Sequence, residues 1–263
     1  MTTDYNGYQH TVYAQGRALT PEAAQAWAEA FRRWAPADTT TVLDLGSGTG
    51  RFTPILAEAC KPCQVYGVEP SHGMRTAAER DATHPAVRYL DGSATAIPLP
   101  DGSCDLVLLF LVLQHVTDRP AAAAEIRRVL RPGGRLLVRS TFADRLPDLT
   151  WHRYFPGARA VERRMFPTLQ ETMDLFELPV VGLDKVRERL APGLRAYAAR
   201  LELRAISVFE HLTDAEIEAG FAALRTAAAA ETVPVPIEED SDLLVLQLDP
   251  PGPDPARQRP DWW

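Results

Sequence analysis

The nine residues Val42-Leu-Asp-Leu-Gly-Ser-Gly-Thr-Gly50 constrain this chain more than any other stretch of it. A β-branched and apolar run reaches Asp44, then passes through glycines at 46, 48 and 50 into a segment of helical character. Glycine lets backbone approach a ligand closely, and a helix beginning just beyond presents free amide N–H groups. Strand, glycine turn and helix in that order also open a βαβ unit, so the fold class depends on whether the alternation continues.

It does continue. After the strand at 40–45, residues 64–68, 87–90, 105–113 and 135–141 read as strands, with helices at 51–59, 73–80 and 121–130 between them. Residues 105–113 are almost wholly apolar, the pattern of a central strand covered on both faces. Arg131-Pro-Gly-Gly134 is the stop after the last of these helices. The alternation predicts an α/β fold, a Rossmann-like, doubly wound, mostly parallel sheet, expected to hold seven strands with helical lid elements. A helix at 21–34 precedes it, announced by Thr20, Pro21 and Glu22. Past Thr141 the pattern changes. Residues 146–166 are rich in aromatics and arginine, 168–176 reads as a helix and 180–186 as a strand. Two long helices are expected at 188–207 and 214–230, covering an acceptor, before a last strand at 242–248. The expected organisation is a helical lid segment at 1–39, a cofactor core at 40–142, an acceptor and lid region at 143–248, and a tail at 249–263 holding five prolines.

Composition removes several classes of function. Apolar residues make up 46 % of the 263, enough for a substantial core. Lys and Arg total 28 against 35 Asp and Glu, and no basic block is present, so the footprint for gripping phosphate backbones is missing. Three cysteines make no disulfide framework, and Cys60-Lys-Pro-Cys63 has no second ligand pair beside it, so no metal is expected. The N-terminal residues are too polar for a signal peptide, and the longest apolar run, 106–113, is far short of the about 20 residues of a membrane span. A cytoplasmic monomer or homodimer is the expectation.

Two cofactor classes use a strand–glycine–helix turn. Dinucleotide enzymes want G-x-G-x-x-G, but the sixth position is Arg51 counted from Gly46 and Thr53 counted from Gly48. Asp44 could accept from a ligand amine at the strand end, where a pyrophosphate would be repelled. The segment resembles the first motif of class I S-adenosylmethionine-dependent methyltransferases, and the chain is closest there to the subgroup acting in ubiquinone and menaquinone biosynthesis. That resemblance implies S-adenosylmethionine as cofactor, wrapped at its methionine end by Asp44, Gly46, Ser47, Gly48 and Gly50. It gives Glu69 and Pro70, in Val65-Tyr-Gly-Val-Glu-Pro70, the ribose, since a carboxylate can accept from two vicinal hydroxyls. Met74 is implied beside the adenine, with Gly92, Ser93 and Ala94 of Tyr89-Leu-Asp-Gly-Ser-Ala94 at its edge, a serine standing where members commonly carry aspartate. Phe110 and Leu111, at the fourth strand's end, complete the implied cofactor set.

The same strand end lacks the N/D-P-P-Y/F motif of methyltransferases that act on nucleobase amines or glutamine. With the negative net charge, this points away from nucleic acid and towards a small neutral or cationic acceptor, methylated on O, N or C, with a place in secondary metabolism. His115, just past the strand, and His152, within Trp151-His-Arg-Tyr-Phe155, are the candidate proton acceptors. Trp151, His152, Tyr154 and Phe155 are expected to cover the acceptor with Phe110 and His115, opposite a wall of Tyr5, Tyr13 and Arg17. Two rival readings stand: a cofactor-binding protein of the same fold without transferase activity, in a cyclase-like or regulatory role, and an NAD-dependent oxidoreductase.

Overall fold

Right-handed crossovers between parallel strands put every strand's carboxyl end on one edge of the sheet, and that edge is where the site forms. In a computed structural model, which describes residues 15–249, α1 (Pro21–Trp34) leads into β1 (Thr41–Leu45), α2 (Thr53–Ala59), β2 (Gln64–Val68), α3 (His72–Asp81) and β3 (Val87–Leu90). The chain continues through β4 (Cys104–Phe110), α4 (Arg119–Val129) and β5 (Leu130–Arg139), then α5 (Ala158–Met165) and α6 (Leu169–Phe176). It closes with β6 (Val180–Ala191), α7 (Leu194–Leu201), α8 (Asp214–Ala230) and β7 (Ile237–Gln247). The seven strands form one sheet in the order β3-β2-β1-β4-β5-β7-β6, with β7 antiparallel to both its neighbours. Tyr5, Tyr13 and the tail beyond residue 249 lie outside the described residues.

Local chemistry accounts for the helix starts. The Thr20 side chain accepts the Ala23 N–H at α1, and Thr168 and Thr213 each form a capping box, with Glu171 and Glu216. The sheet is apolar on both faces, as a doubly covered sheet requires. Val107, Leu109, Leu136 and Val138 pack with Ile126 and Phe176 on one side. Leu106, Leu108 and Leu137 pack on the other with Trp27, Phe31 and Leu56. Each such side chain contributes about 1.5–3 kcal/mol on full burial. A third cluster, Trp151, Phe155, Phe209, Phe221 and Leu224, is the separate core of the lid formed by α5, α7 and α8.

The structure corrects one element outright. Residues 188–207 are not a single helix: β6 runs on to Ala191, and only 194–201 is helical there. The Asp-Lys-Val-Arg-Glu-Arg run looks helical because it is charged, but its charges are answered across the sheet. Arg187 pairs with Asp240 at 2.9 Å and Arg189 lies 3.8 Å from Glu238, both acids being on β7. Such cross-strand pairs hold a strand that intrinsic propensity disfavours. β4 also ends sooner than expected, at Phe110; Leu111 adopts a φ of 56°, and 113–115 forms a short 3-10 turn.

Candidate cofactor and acceptor site

Glycines 46, 48 and 50 have φ angles of 72°, 57° and 76°, a backbone region costly to residues with a Cβ. At Gly46 a Cβ would also stand 2.5 Å from Val112 Cγ2, so the turn can close only on glycine. The Gly46 and Ser47 N–H groups both donate to the Val68 carbonyl, at 2.8 and 3.1 Å, which ties the loop to the end of β2. Among the described residues, a Cβ at Gly48 would meet just the Met74 sulfur, at 3.6 Å, and the buried Ser47 hydroxyl has no hydrogen-bond partner. The loop is therefore a concave shelf with polar capacity to spare.

Two buried carboxylates flank this shelf. Asp44, at the end of β1, accepts from the Thr53 hydroxyl at 2.6 Å, and burial pushes its pKa up to about 6. Glu69, just after β2, accepts the Gly48 N–H at 3.0 Å on Oε2 and the Ser71 N–H at 2.9 Å on Oε1. Burial raises its pKa also, against the pull of those two N–H groups. A carboxylate offers about four acceptor positions, so Glu69 retains room for a diol. Met74 is buried against the loop, whereas Pro70 is exposed. Gly92 lets the chain pass under Pro98, and Ser93 and Ala94 begin a tight turn closed by the pair Ser93 N–H to Ala96 O and Ala96 N–H to Ser93 O. These donors and acceptors suit the sugar, amine and base of S-adenosylmethionine.

Beyond the shelf, over the ends of β4, β5, β6 and β7, lies a cavity of about 610 Å3 roofed by the lid. Leu111, expected at the cofactor, and His115, Trp151 and Arg17, expected at the acceptor, are among the residues that line it. His115 stands at its rim, crowded on one side by protein that lowers its pKa, with Glu210 opposing the shift. Four residues expected at the acceptor do not line the cavity. Phe110 turns to the opposite face of the sheet, in an aromatic cluster 4.9 Å from Trp27 and 5.0 Å from Phe52. His152 is buried inside the lid, its Nε2 2.9 Å from Glu162 Oε2, and Phe155 packs in the lid core against Phe209 and Phe221. Tyr154 is half-buried against the same cluster.

Sequence reasoning missed most of the cavity's charged wall. Arg139, the last residue of β5, donates to Glu188 at 2.7 Å, and Ser241 donates to the same oxygen at 2.6 Å. Burial alone would raise the Glu188 pKa; Arg139 and Ser241 outweigh it and hold the group at about 2. Glu239 accepts from the Thr150 N–H and the Tyr197 hydroxyl, and Arg200 reaches in from α7. Arg139 could have been found from its place at a strand's carboxyl end. Glu188 could not, once its strand was read as a helix.

Residues 43–138 match the family model described as a methyltransferase domain. Over 108 residues the chain is 38 % identical to malonyl-[acyl-carrier protein] O-methyltransferase of Serratia marcescens, covering 41 % of each. Over 99 residues it is 37 % identical to demethylmenaquinone methyltransferase of Thermus thermophilus, covering 37 % of this chain and 45 % of that one. The chain thus spans less than half the length of these curated relatives. A solved structure, a protein of Anabaena variabilis assigned as a methyltransferase of an antibiotic biosynthesis pathway, superposes with a TM-score of 0.65 at 22 % identity, over 88 % of this chain and 99 % of that one, and shares its fold.

Proposed function

We propose that this chain, whose sheet carries a class I S-adenosylmethionine-dependent methyltransferase domain at residues 43–138, transfers the cofactor's methyl group to an O, N or C atom of a small molecule held in the lidded cavity. The observation that carries this reading is the glycine shelf between two buried carboxylates, Asp44 and Glu69, with Arg51, the shelf's sequence neighbour, lining that cavity. Asp44 would take the cofactor's amine, Glu69 its ribose hydroxyls, and the turn at Ser93 and Ala94 the adenine edge. The bound cofactor supplies a methyl group already activated on a sulfonium. What remains for the protein is alignment and exclusion of water.

The lid would supply the exclusion: Glu162 of α5, Tyr197 and Arg200 of α7 and Trp151 line the cavity, and α8 packs behind them in the lid core. His115 would be the residue that moves a proton. With its pKa lowered, its ring is uncharged at neutral pH, and a ring nitrogen can take the proton of an attacking hydroxyl or amine. The likeness to a protein assigned to an antibiotic pathway supports a role in secondary metabolism. Among the described residues, no helix is long and apolar enough to cross a membrane.

Isothermal titration with S-adenosylhomocysteine is the direct test, followed by an acceptor panel read by S-adenosylhomocysteine release. Micromolar binding with turnover is expected. No binding to the wild-type chain would refute the proposal, and binding without any methylated product would favour a non-transferase role for the same site. Tight binding of NADH in place of S-adenosylhomocysteine would favour an oxidoreductase.

A further inference from the structure

The cavity wall carries charges of both signs, and they do not cancel locally. Five of its acids lie against a basic side chain, Glu239 is held by neutral donors, and Glu210 acts on His115. Glu188 pairs with Arg139 at 2.7 Å, Asp242 with Arg145 at 3.2 Å, Asp240 with Arg187 at 2.9 Å and Glu162 with His152 at 2.9 Å. Asp148 lies 3.6 Å from Arg159, and Glu239 holds the Thr150 N–H at 2.9 Å and the Tyr197 hydroxyl at 3.2 Å.

Arg200 is different. Its Nε donates to the Gly16 carbonyl at 2.8 Å and its Nη1 to the Leu190 carbonyl at 3.0 Å. Among the described residues, no carboxylate lies within 4.0 Å of its guanidinium, so its hydrogen bonds are met but it forms no ion pair. Arg204, one turn further on, lines the same wall and also makes no ion pair among the described residues; its guanidinium lies 5.5 Å from the Phe221 ring. Arg17 adds a third positive charge, and its Nε is buried without a hydrogen-bond partner among the described residues. The crowding registers on Arg200, whose pKa is lowered by burial and by Arg17 despite Glu188, Tyr197 and Glu239 nearby. Like charges gathered on one cavity wall are stabilised by a bound anion, and a planar guanidinium suits a carboxylate or phosphate.

Resting on the methyl-transfer reading above, we infer that the acceptor is an anion whose carboxylate or phosphate group docks on Arg200, with Arg204 beside it. This reverses the expectation of a neutral or cationic acceptor. A net charge of −7 describes the whole chain, whereas the field inside a cavity is set by its nearest uncompensated groups.

The test uses the full chain saturated with S-adenosylhomocysteine and titrated calorimetrically at low salt with four probes: 4-hydroxybenzoate, phenyl phosphate, neutral 4-hydroxybenzamide and cationic tyramine. One of the two anions is expected to bind at least about tenfold tighter than the amide and tyramine, and which one it is distinguishes carboxylate from phosphate. Arg200→Gln should weaken that anion about 10- to 100-fold, the scale of a charge-assisted hydrogen bond, while Arg200→Lys retains most of the affinity. Unchanged S-adenosylhomocysteine affinity in both variants reports an intact fold. If Arg200→Gln does not fold, Arg204→Gln, at an exposed position, should still weaken the anion several-fold. The inference is overturned if neither anion exceeds the neutral and cationic probes, silence from all four included, or if the arginine variants bind the anion as the wild type does. Failure of S-adenosylhomocysteine itself to bind would instead sink the methyl-transfer reading, and this inference with it.

Discussion

Replacing Asp44 with asparagine should stabilise the protein without its cofactor at neutral pH. Asp44 is 3 % exposed, its one side-chain hydrogen bond described above comes from Thr53 at 2.6 Å, and its pKa rises from 3.8 to about 6. The amide of D44N has the same shape and keeps an oxygen for Thr53. A rise of about two units corresponds to about 3 kcal/mol at about 1.36 kcal/mol per unit. Because the folded-state value lies above the unfolded one, the folded chain holds the proton longer. The contribution of Asp44 is therefore fully present below about pH 4 and is lost as the pH climbs through about 6. D44N escapes that loss, so its stability relative to wild type should grow from near zero at pH 4 to about 3 kcal/mol at pH 7.5. Urea unfolding of both proteins at the two pH values measures this. Titrating groups that do not feel Asp44 cancel in the difference, while loss of its charge also eases ionisation of Glu69. The same variant should bind S-adenosylhomocysteine more weakly at pH 7.5, since the ionised carboxylate is what a ligand amine would seek. A difference that does not change with pH, or a D44N chain less stable than wild type at pH 7.5, would refute the reasoning.

Two further outcomes follow from buried pairs. Glu69→Gln should lower S-adenosylhomocysteine affinity about 10- to 100-fold, since an amide cannot accept at all the positions a carboxylate offers; unchanged titration curves would remove Glu69 from the cofactor site. His152→Leu should cost about 1–3 kcal/mol of unfolding free energy, because it leaves the Glu162 carboxyl buried without the ring beside it, with S-adenosylhomocysteine affinity intact. Unchanged urea stability with lost turnover would instead return His152 to a catalytic role.

The elements legible in the sequence are those with local punctuation. The helix at 21–34 and the helix at 214–230 begin at threonine caps and end where expected, because a cap is a bond between residues three apart. The strands at 64–68 and 87–90 match residue for residue, being short runs bounded by turn-formers. Asp44 and Glu69 were legible for the same reason: each is the acid at or just past the end of a recognisable strand, next to a turn that requires glycine. What escaped was decided by partners far away in the chain. The end of β6 is a strand because Arg187, Glu188 and Arg189 find partners more than 48 residues away, which no local pattern reveals. Phe110 sits in an apolar run where either face is plausible, and only the strand's register sends it towards Trp27.

The sequence by itself therefore determined the architecture and the cofactor shelf, since both are built from short-range signals: periodicity, caps, and glycines at positive φ. Only the tertiary structure decided the acceptor's surroundings. Whether an arginine is neutralised depends on which carboxylates the fold brings within about 4 Å, and charges fall off too steeply through solvent for composition to stand in for geometry. Arg139 and Arg200 look alike as letters; one is locked to Glu188 and the other lines the cavity without an ion pair among the described residues.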